Sequence, residues 1–123
     1  MGSTVAFRTA DDVVRTHSNF VRSALRFIDE RFRSAIGLRE VAIAAGCSRS
    51  HLAKRIRRET GRSVLDWLAE RRIAEARRLL CVSDAPVKVV AAKVGYSDTG
   101  YFIRQFHRRE GKTPAAWRRE RRR

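Results

Sequence analysis

Acidic residues are scarce in this chain, where 13 Asp and Glu stand against 28 Lys and Arg among 123 residues. A net charge of +15 could serve solubility alone, but solubility is served better by added acids than by added bases, which argues against that reading. Self-repulsion of that size has to be offset, and a polyanionic partner is the ordinary reason a chain tolerates it. Cysteine is scarce too. Cys47 and Cys81 have no metal-ligand spacing and no third or fourth partner, so no metal and no cofactor are expected. Both read as small buried hydrophobes of a reducing cytosol, without a disulfide. No apolar run approaches the ~18 residues of a membrane helix, and Asp11 and Asp12 close an N-terminal segment without signal-peptide architecture. The expected place of action is cytoplasmic, with no membrane partner. Nucleophile–base constellations, paired carboxylates and phosphate-cradling glycine loops are all missing, so an enzyme is not expected. Of the cations only Lys54, Lys88, Lys93 and Lys112 are lysines. The surplus of Arg suits bidentate recognition of phosphates and guanine edges, and equally the codon usage of a GC-rich genome.

What is present describes a folding chain with a heavily charged surface: 43% hydrophobic and 33% charged residues. The length allows one modest domain, or two very small ones sharing an interface. Residues 1–16 lack periodicity and read as a loose arm. A first helix is expected over Ser18 to Arg33, with Phe20, Ala24, Phe27, Ile28 and Phe32 as its apolar stripe. Leu38, Val41, Ala42 and Ala45 then mark a short amphipathic helix that stops at Gly46. Ser48 is placed to cap a helix from Arg49 to about Glu59, and Gly61 supplies its left-handed stop. Two helices joined by a short glycine-containing turn form a helix-turn-helix. Ser63 and Asp66 look like a capping box opening a long helix to about Leu80, with Arg71, Arg72, Arg77 and Arg78 outward or flanking. Ser83-Asp84-Ala85-Pro86 breaks it.

The earlier unit then repeats. Val87, Val90, Ala91 and Val94 answer Leu38, Val41, Ala42 and Ala45 at a shift of 49, and Gly95 answers Gly46. After the turn the shift is 50: Phe102 answers Leu52, Arg104 answers Lys54, Phe106 answers Ile56 and Gly111 answers Gly61. The second copy therefore has one extra turn residue. Thr113-Pro114 caps a last helix containing Trp117, ahead of a basic tail. The division expected is an arm at 1–16, a first helix-turn-helix unit at 17–62, a connecting helix at 63–80, a second unit at 81–119, and a tail at 120–123.

At 100° per residue, Leu52 and Ile56 define the buried side of the first recognition helix. Ser50, Lys54, Arg57 and Arg58 then point away, with Ala53 on the margin. On the second helix, over about 99–110, Phe102 and Phe106 face in. Gly100, Arg104, His107 and Arg108 face out, with Ile103 on the margin. Small residues near the start and cations beyond suit a helix entering a major groove by its N-terminal half, where Arg and Lys bond guanine O6 and N7 and Ile meets a thymine methyl. A phosphate contact suits His107; His17 and His51 read as surface or packing residues. The tail arginines suit either a phosphate contact or a solvated terminus. A lipid-surface protein would need a bulky apolar face left free, whereas these stripes are short and compensate one another. RNA is the weaker nucleic-acid partner, because its major groove is too narrow to admit a helix.

Gly61-Arg62-Ser63, Val94-Gly95-Tyr96-Ser97, Tyr101-Phe102-Ile103-Arg104-Gln105-Phe106 and Gly111-Lys112-Thr113-Pro114 resemble the AraC/XylS family of bacterial transcription regulators. The resemblance covers roughly residues 18 to 119. It implies an all-α fold of seven helices, with two helix-turn-helix subdomains joined by a long connecting helix. It also implies double-stranded DNA and RNA polymerase as partners, with transcription activation as the outcome. Family readers of base edges would fall on Arg49, Ser50, Ala53 and Lys54, and on Thr99, Gly100, Ile103 and Arg104. Ala53 and Gly100 replace side chains that are often polar in the family, and Arg55 stands where an apolar residue is usual. With no companion effector domain in it, the chain is similar to short stand-alone members such as MarA and SoxS, or to the excised domain of a longer regulator. The two outward faces differ, which implies an asymmetric site bound by a monomer.

Overall fold

The computed structural model describes residues 18–122, and these form seven helices and no strands. In chain order they are α1 (Asn19–Arg31), α2 (Leu38–Ala45), α3 (Arg49–Thr60), α4 (Val64–Val82), α5 (Val87–Lys93), α6 (Thr99–Glu110) and α7 (Pro114–Arg121). The arm expected at residues 1–16, His17 and Arg123 lie outside the described residues.

Local chemistry sets most of the boundaries. The Ser63 hydroxyl accepts from the Asp66 amide at 3.1 Å while the Asp66 carboxylate accepts from the Ser63 amide at 3.2 Å, the reciprocal box expected at the start of α4. Thr113 caps α7 through the Ala116 amide at 3.2 Å, with Pro114 where no amide is needed. Gly46, Gly61 and Gly111 end α2, α3 and α6 with φ of 76°, 80° and 81°, a region costly for any residue carrying a Cβ. Between α4 and α5 the chain turns extended at Ser83 and reaches Pro86, the N-cap of α5, where no intrahelical amide is needed.

Two apolar cores result. The first gathers Val21, Ala24, Ile28 and Phe32 of the α1 segment with Val41, Ala42, Leu52, Ile56, Val64 and Leu68. The second gathers Ile73, Ala76 and Leu80 of α4 with Val90, Ala91, Val94, Tyr96, Phe102, Phe106 and Trp117. Helix α4 contributes to both, its N-terminal half to the first and its C-terminal half to the second. In the second core the rings of Tyr96, Phe102, Phe106 and Trp117 run in series at centroid separations of 5.3, 5.9 and 6.1 Å.

Several expectations are corrected. The stripe of α1 is centred on Val21, which is fully buried, whereas Phe20 and Phe27 lie half-buried on one side of it. Small residues at the centre allow α2 to approach closely, and the two aromatic rings close the edge. Cys81 is exposed and so is not the buried hydrophobe expected of it, whereas Cys47 is half-buried and packs against the first core. The connecting helix runs to Val82, two residues beyond the expected end. The basic tail is no loose end among the described residues: α7 continues to Arg121. Arg122 donates to the carbonyls of Cys81 and Ser83 and pairs with Asp84. Arg118 donates to the carbonyls of Leu80 and Ser83, each at 3.1 Å. These carbonyls close the C-terminal end of α4, where cations are favoured by the helix dipole.

Candidate nucleic-acid interface

Helices α3 and α6 are the second members of the two helix-turn-helix units. The Ser48 hydroxyl accepts from the His51 amide at 3.1 Å, and the Asp98 carboxylate accepts from the Tyr101 amide at 3.0 Å. These caps stand in equivalent places; the extra residue of the second turn is absorbed before Asp98. Leu52 and Ile56 anchor α3, and Phe102 and Phe106 anchor α6, all four with no exposed surface. Full burial of two residues one turn apart leaves each helix no freedom to roll, which determines what its other side presents.

On α3 that side carries Arg49, Ser50, Lys54, Arg57 and Arg58, all exposed, with Ala53 half-buried. On α6 it carries Gly100, Arg104, His107 and Arg108, again exposed, with Thr99 and Ile103 half-buried. Ile103 leans on the second core, so only part of its side chain is available to a ligand. Gly100 sits tightly: an added Cβ would lie 3.3 Å from the Asp98 carboxylate and 3.5 Å from the Arg104 guanidinium. A Cβ at position 100 would press on the capping carboxylate by a few tenths of an ångström and meet the neighbouring cation at ordinary contact distance.

Several cations away from the outward faces are tied within the fold. Arg55 pairs with Glu59 at 2.7 Å and lies 5.5 Å from the Phe20 ring centre. Its stem covers apolar surface there, which reconciles a charge with an ordinarily apolar position. Arg71 pairs with Asp29 at 2.7 Å, Arg77 with Glu110 at 2.6 Å, and Arg78 and Arg33 both with the buried Glu75 at 2.7 and 3.2 Å. The Arg78 and Arg33 donors hold the Glu75 carboxyl below the usual glutamate range, against the opposing effect of burial. Of the four α4 arginines expected to face outward or flank, Arg71, Arg72 and Arg77 therefore tie α4 to other elements, whereas Arg78 is exposed and pairs within α4. By contrast Arg49, Lys54, Arg57, Arg58, Arg104 and Arg108 form no ion pair with any described residue. Arg104 only lies over the Tyr101 ring at 5.9 Å, a stacking contact that leaves its N–H donors available.

Two features escaped the sequence reading. Tyr101 is 47% exposed on α6 beside Arg104, although it directly precedes a core Phe in an aromatic run. A cleft of about 460 Å³ separates the N-terminal half of α4 from α6, lined by Leu65, Asp66, Leu68, Ala69, Arg72, Tyr96, Tyr101, Gln105, Arg108 and Arg109. Arg109 bridges it at 3.8 Å from Asp66 and 3.6 Å from Glu70. Asp66 is held below the ordinary range mainly by the Ser63 amide and hydroxyl, with Arg109 and Arg57 adding to it. His51 is exposed and packs on Phe20 at 4.8 Å, a surface packing role as expected.

Two capped helices, each presenting from a fixed face cations that pair with no described residue, on a +15 chain, have the architecture of a helical DNA-binding domain. Residues 41–120 match the family described as a helix-turn-helix domain. The regulatory protein PocR of Salmonella typhimurium is 31% identical over 104 residues, covering 85% of this chain and 34% of that protein. The arabinose operon regulatory protein of Escherichia coli is 34% identical over 101 residues, covering 81% and 35%. The chain thus spans about a third of the length of the curated relatives it matches. Among solved structures, the C-terminal domain of AraT, a response regulator from Geobacillus stearothermophilus, superposes with a TM-score of 0.82 at 31% identity, covering 85% of this chain and 87% of that one. The DNA-binding domain of AdpA, solved in complex with a target DNA, gives 0.80 at 30% identity, covering 85% and 95%. The chain belongs to the AraC-type helix-turn-helix family.

Proposed function

We propose that this chain reads double-stranded DNA by sequence, as the DNA-binding part of a bacterial transcription regulator. It places α3 and α6 in successive major grooves. One observation carries this reading: equivalent faces of the two helices hold exposed cations that form no ion pair with a described residue, while Arg55, Arg71 and Arg77 on other faces are held in internal ion pairs. Arg49, Ser50, Ala53 and Lys54, with Thr99, Gly100, Ile103 and Arg104, meet base edges. Arg57, Arg58, His107 and Arg108 meet phosphates.

The chain works as a monomer on an asymmetric site of two unlike blocks, since Ser50-Ala53-Lys54 and Gly100-Ile103-Arg104 differ in what they can read. Units at 17–62 and 81–119, joined through 63–80, each carry one block. The 19 residues of α4 span about 28 Å at 1.5 Å per residue, compatible with reading heads one DNA turn, about 34 Å, apart. Activation through RNA polymerase is the output proposed, with the cytoplasm as the place of action. No catalytic step, cofactor or metal is part of the reading. Selection from random duplexes followed by footprinting tests it. Two unlike blocks in neighbouring grooves with one chain per footprint support it. A palindromic selected site or two chains per footprint refutes the monomer.

A further inference from the structure

The turn of the second helix-turn-helix unit does not float beside the first; it is seated on the end of α1. Gly95, with φ of 108°, packs so closely that an added Cβ would fall 2.6 Å from the Phe32 carbonyl oxygen and 2.8 Å from Arg72 Nε. Arg72, on α4, occupies the same junction. Its Nε donates to the Phe32 carbonyl at 2.7 Å and its Nη2 to the Ser34 carbonyl at 2.9 Å. Its guanidinium lies 5.3 Å from the ring centre of Tyr96, the residue after Gly95. Phe32 is the C-cap of α1, where carbonyls lack intrahelical partners and the dipole favours a cation. One side chain thus touches the last turn of the first unit's first helix, the connecting helix and the turn that launches α6.

We infer that Arg72, seated between Phe32 and Gly95, is a positioning residue that sets the rotation of the second recognition helix relative to the first, and with it the spacing between blocks that the chain accepts. This rests on the two-block DNA reading above and deepens it. The geometry gives the scale. Helix α6 has 12 residues, a lever of about 18 Å. A tilt of about 10° at its base moves the far end by about 3 Å, close to the ~3.4 Å rise of one base step. A junction that holds α6 within a few degrees therefore rejects a spacing wrong by one base pair. Arg72 is half-buried, and its Nε and Nη2 are committed to carbonyls at the junction.

The test uses the whole chain and three duplexes carrying the selected blocks at the selected spacing, one base pair shorter and one longer. Two further duplexes each carry a single block. Arg72→Met keeps the stem's volume and removes both bonds; Arg72→Lys keeps the charge but cannot serve both carbonyls in one plane. The wild type is expected to lose about tenfold or more on the altered spacings, the scale of a mismatched base pair. Arg72→Met is expected to reduce that discrimination to less than about threefold while single-block affinities stay within about twofold, and Arg72→Lys is expected to fall between. Unchanged discrimination in Arg72→Met refutes the proposal. So does an equal loss on every duplex, which marks a purely structural role. If circular dichroism shows Arg72→Met unfolded, Arg72→Lys decides on the same criterion. A selection that yields no two-block site is a different outcome, since it overturns the DNA reading itself.

Discussion

Arg104 is the side chain on which the reading of α6 is most exposed to refutation. In the free protein it has no ion pair with a described residue and only a stacking contact with Tyr101 at 5.9 Å. An exposed cation–π contact contributes about 0.5–1 kcal/mol, so Arg104→Ala should cost folding no more than that. For a domain of ordinary stability, about 5–15 kcal/mol, roughly 99.9% of the variant remains folded. Any loss of binding then arises at the DNA. A bidentate contact to a guanine edge is worth about 1–3 kcal/mol of discrimination, or roughly 5- to 150-fold. We expect Arg104→Ala to lose that factor on the selected duplex and much less on a scrambled one. The readout is fluorescence anisotropy with both duplexes at one salt concentration, beside a urea melt. Arg108→Ala, further along the same face, should weaken both duplexes alike. Equal losses on both duplexes for Arg104→Ala would assign it to the backbone. A melt shifted by more than about 2 kcal/mol would show that the fold depends on Arg104 far more than one stacking contact allows.

Affinity for the selected duplex should fall steeply with salt. If about 6 to 10 phosphates are neutralised, log K against log salt has a slope near −0.9 per contact, and a flat response is incompatible with an electrostatic origin for the charge. Phe106→Ala removes a fully buried ring between Phe102 and Trp117 and should destabilise by about 3–5 kcal/mol in urea, shifting the midpoint without changing the slope; a cost below about 1 kcal/mol would mean the ring series does not hold the second core. Glu75 has its folded pKa depressed below the ordinary glutamate value, about 4.3. Its stabilising contribution is therefore fully present above that value and is lost as pH falls through the folded pKa. Thermal melts from pH 6 down to 3 should show a fall that is shallower in Glu75→Gln, and parallel curves for the two proteins would contradict the linkage.

Much of the molecule was legible in one dimension because its causes are local. Ser48, Ser63 and Thr113 cap helices whose amides lie three residues away, and Gly46, Gly61 and Gly111 end helices through their own backbone freedom. The phase of α3 follows from Leu52 and Ile56 and that of α6 from Phe102 and Phe106, so the outward faces were readable from the sequence. So was the duplication, since a repeated pattern of core residues and glycines is itself a sequence property. Where an aromatic sits at the edge of a stripe, periodicity does not rank it against a neighbouring small residue. Phe20 against Val21 was decided by how closely the next helix approaches.

The fate of the arginines was decided only by tertiary structure. Arg55, Arg71, Arg72 and Arg77 look no different in sequence from Lys54, Arg57 or Arg104. Yet Arg71, Arg72 and Arg77 bind partners 33 to 42 positions away, and Arg55 covers a ring from another helix. Exposed Cys81 and the anchored Arg122 follow the same rule, because the end of α4 meets α7 only once the second core has closed. Caps and helix phase depend on atoms within a turn of one another, and the chain carries them wherever it goes. Which cation is consumed by a carbonyl or carboxylate, and which is left to meet a phosphate, depends on surfaces that do not exist until the helices pack.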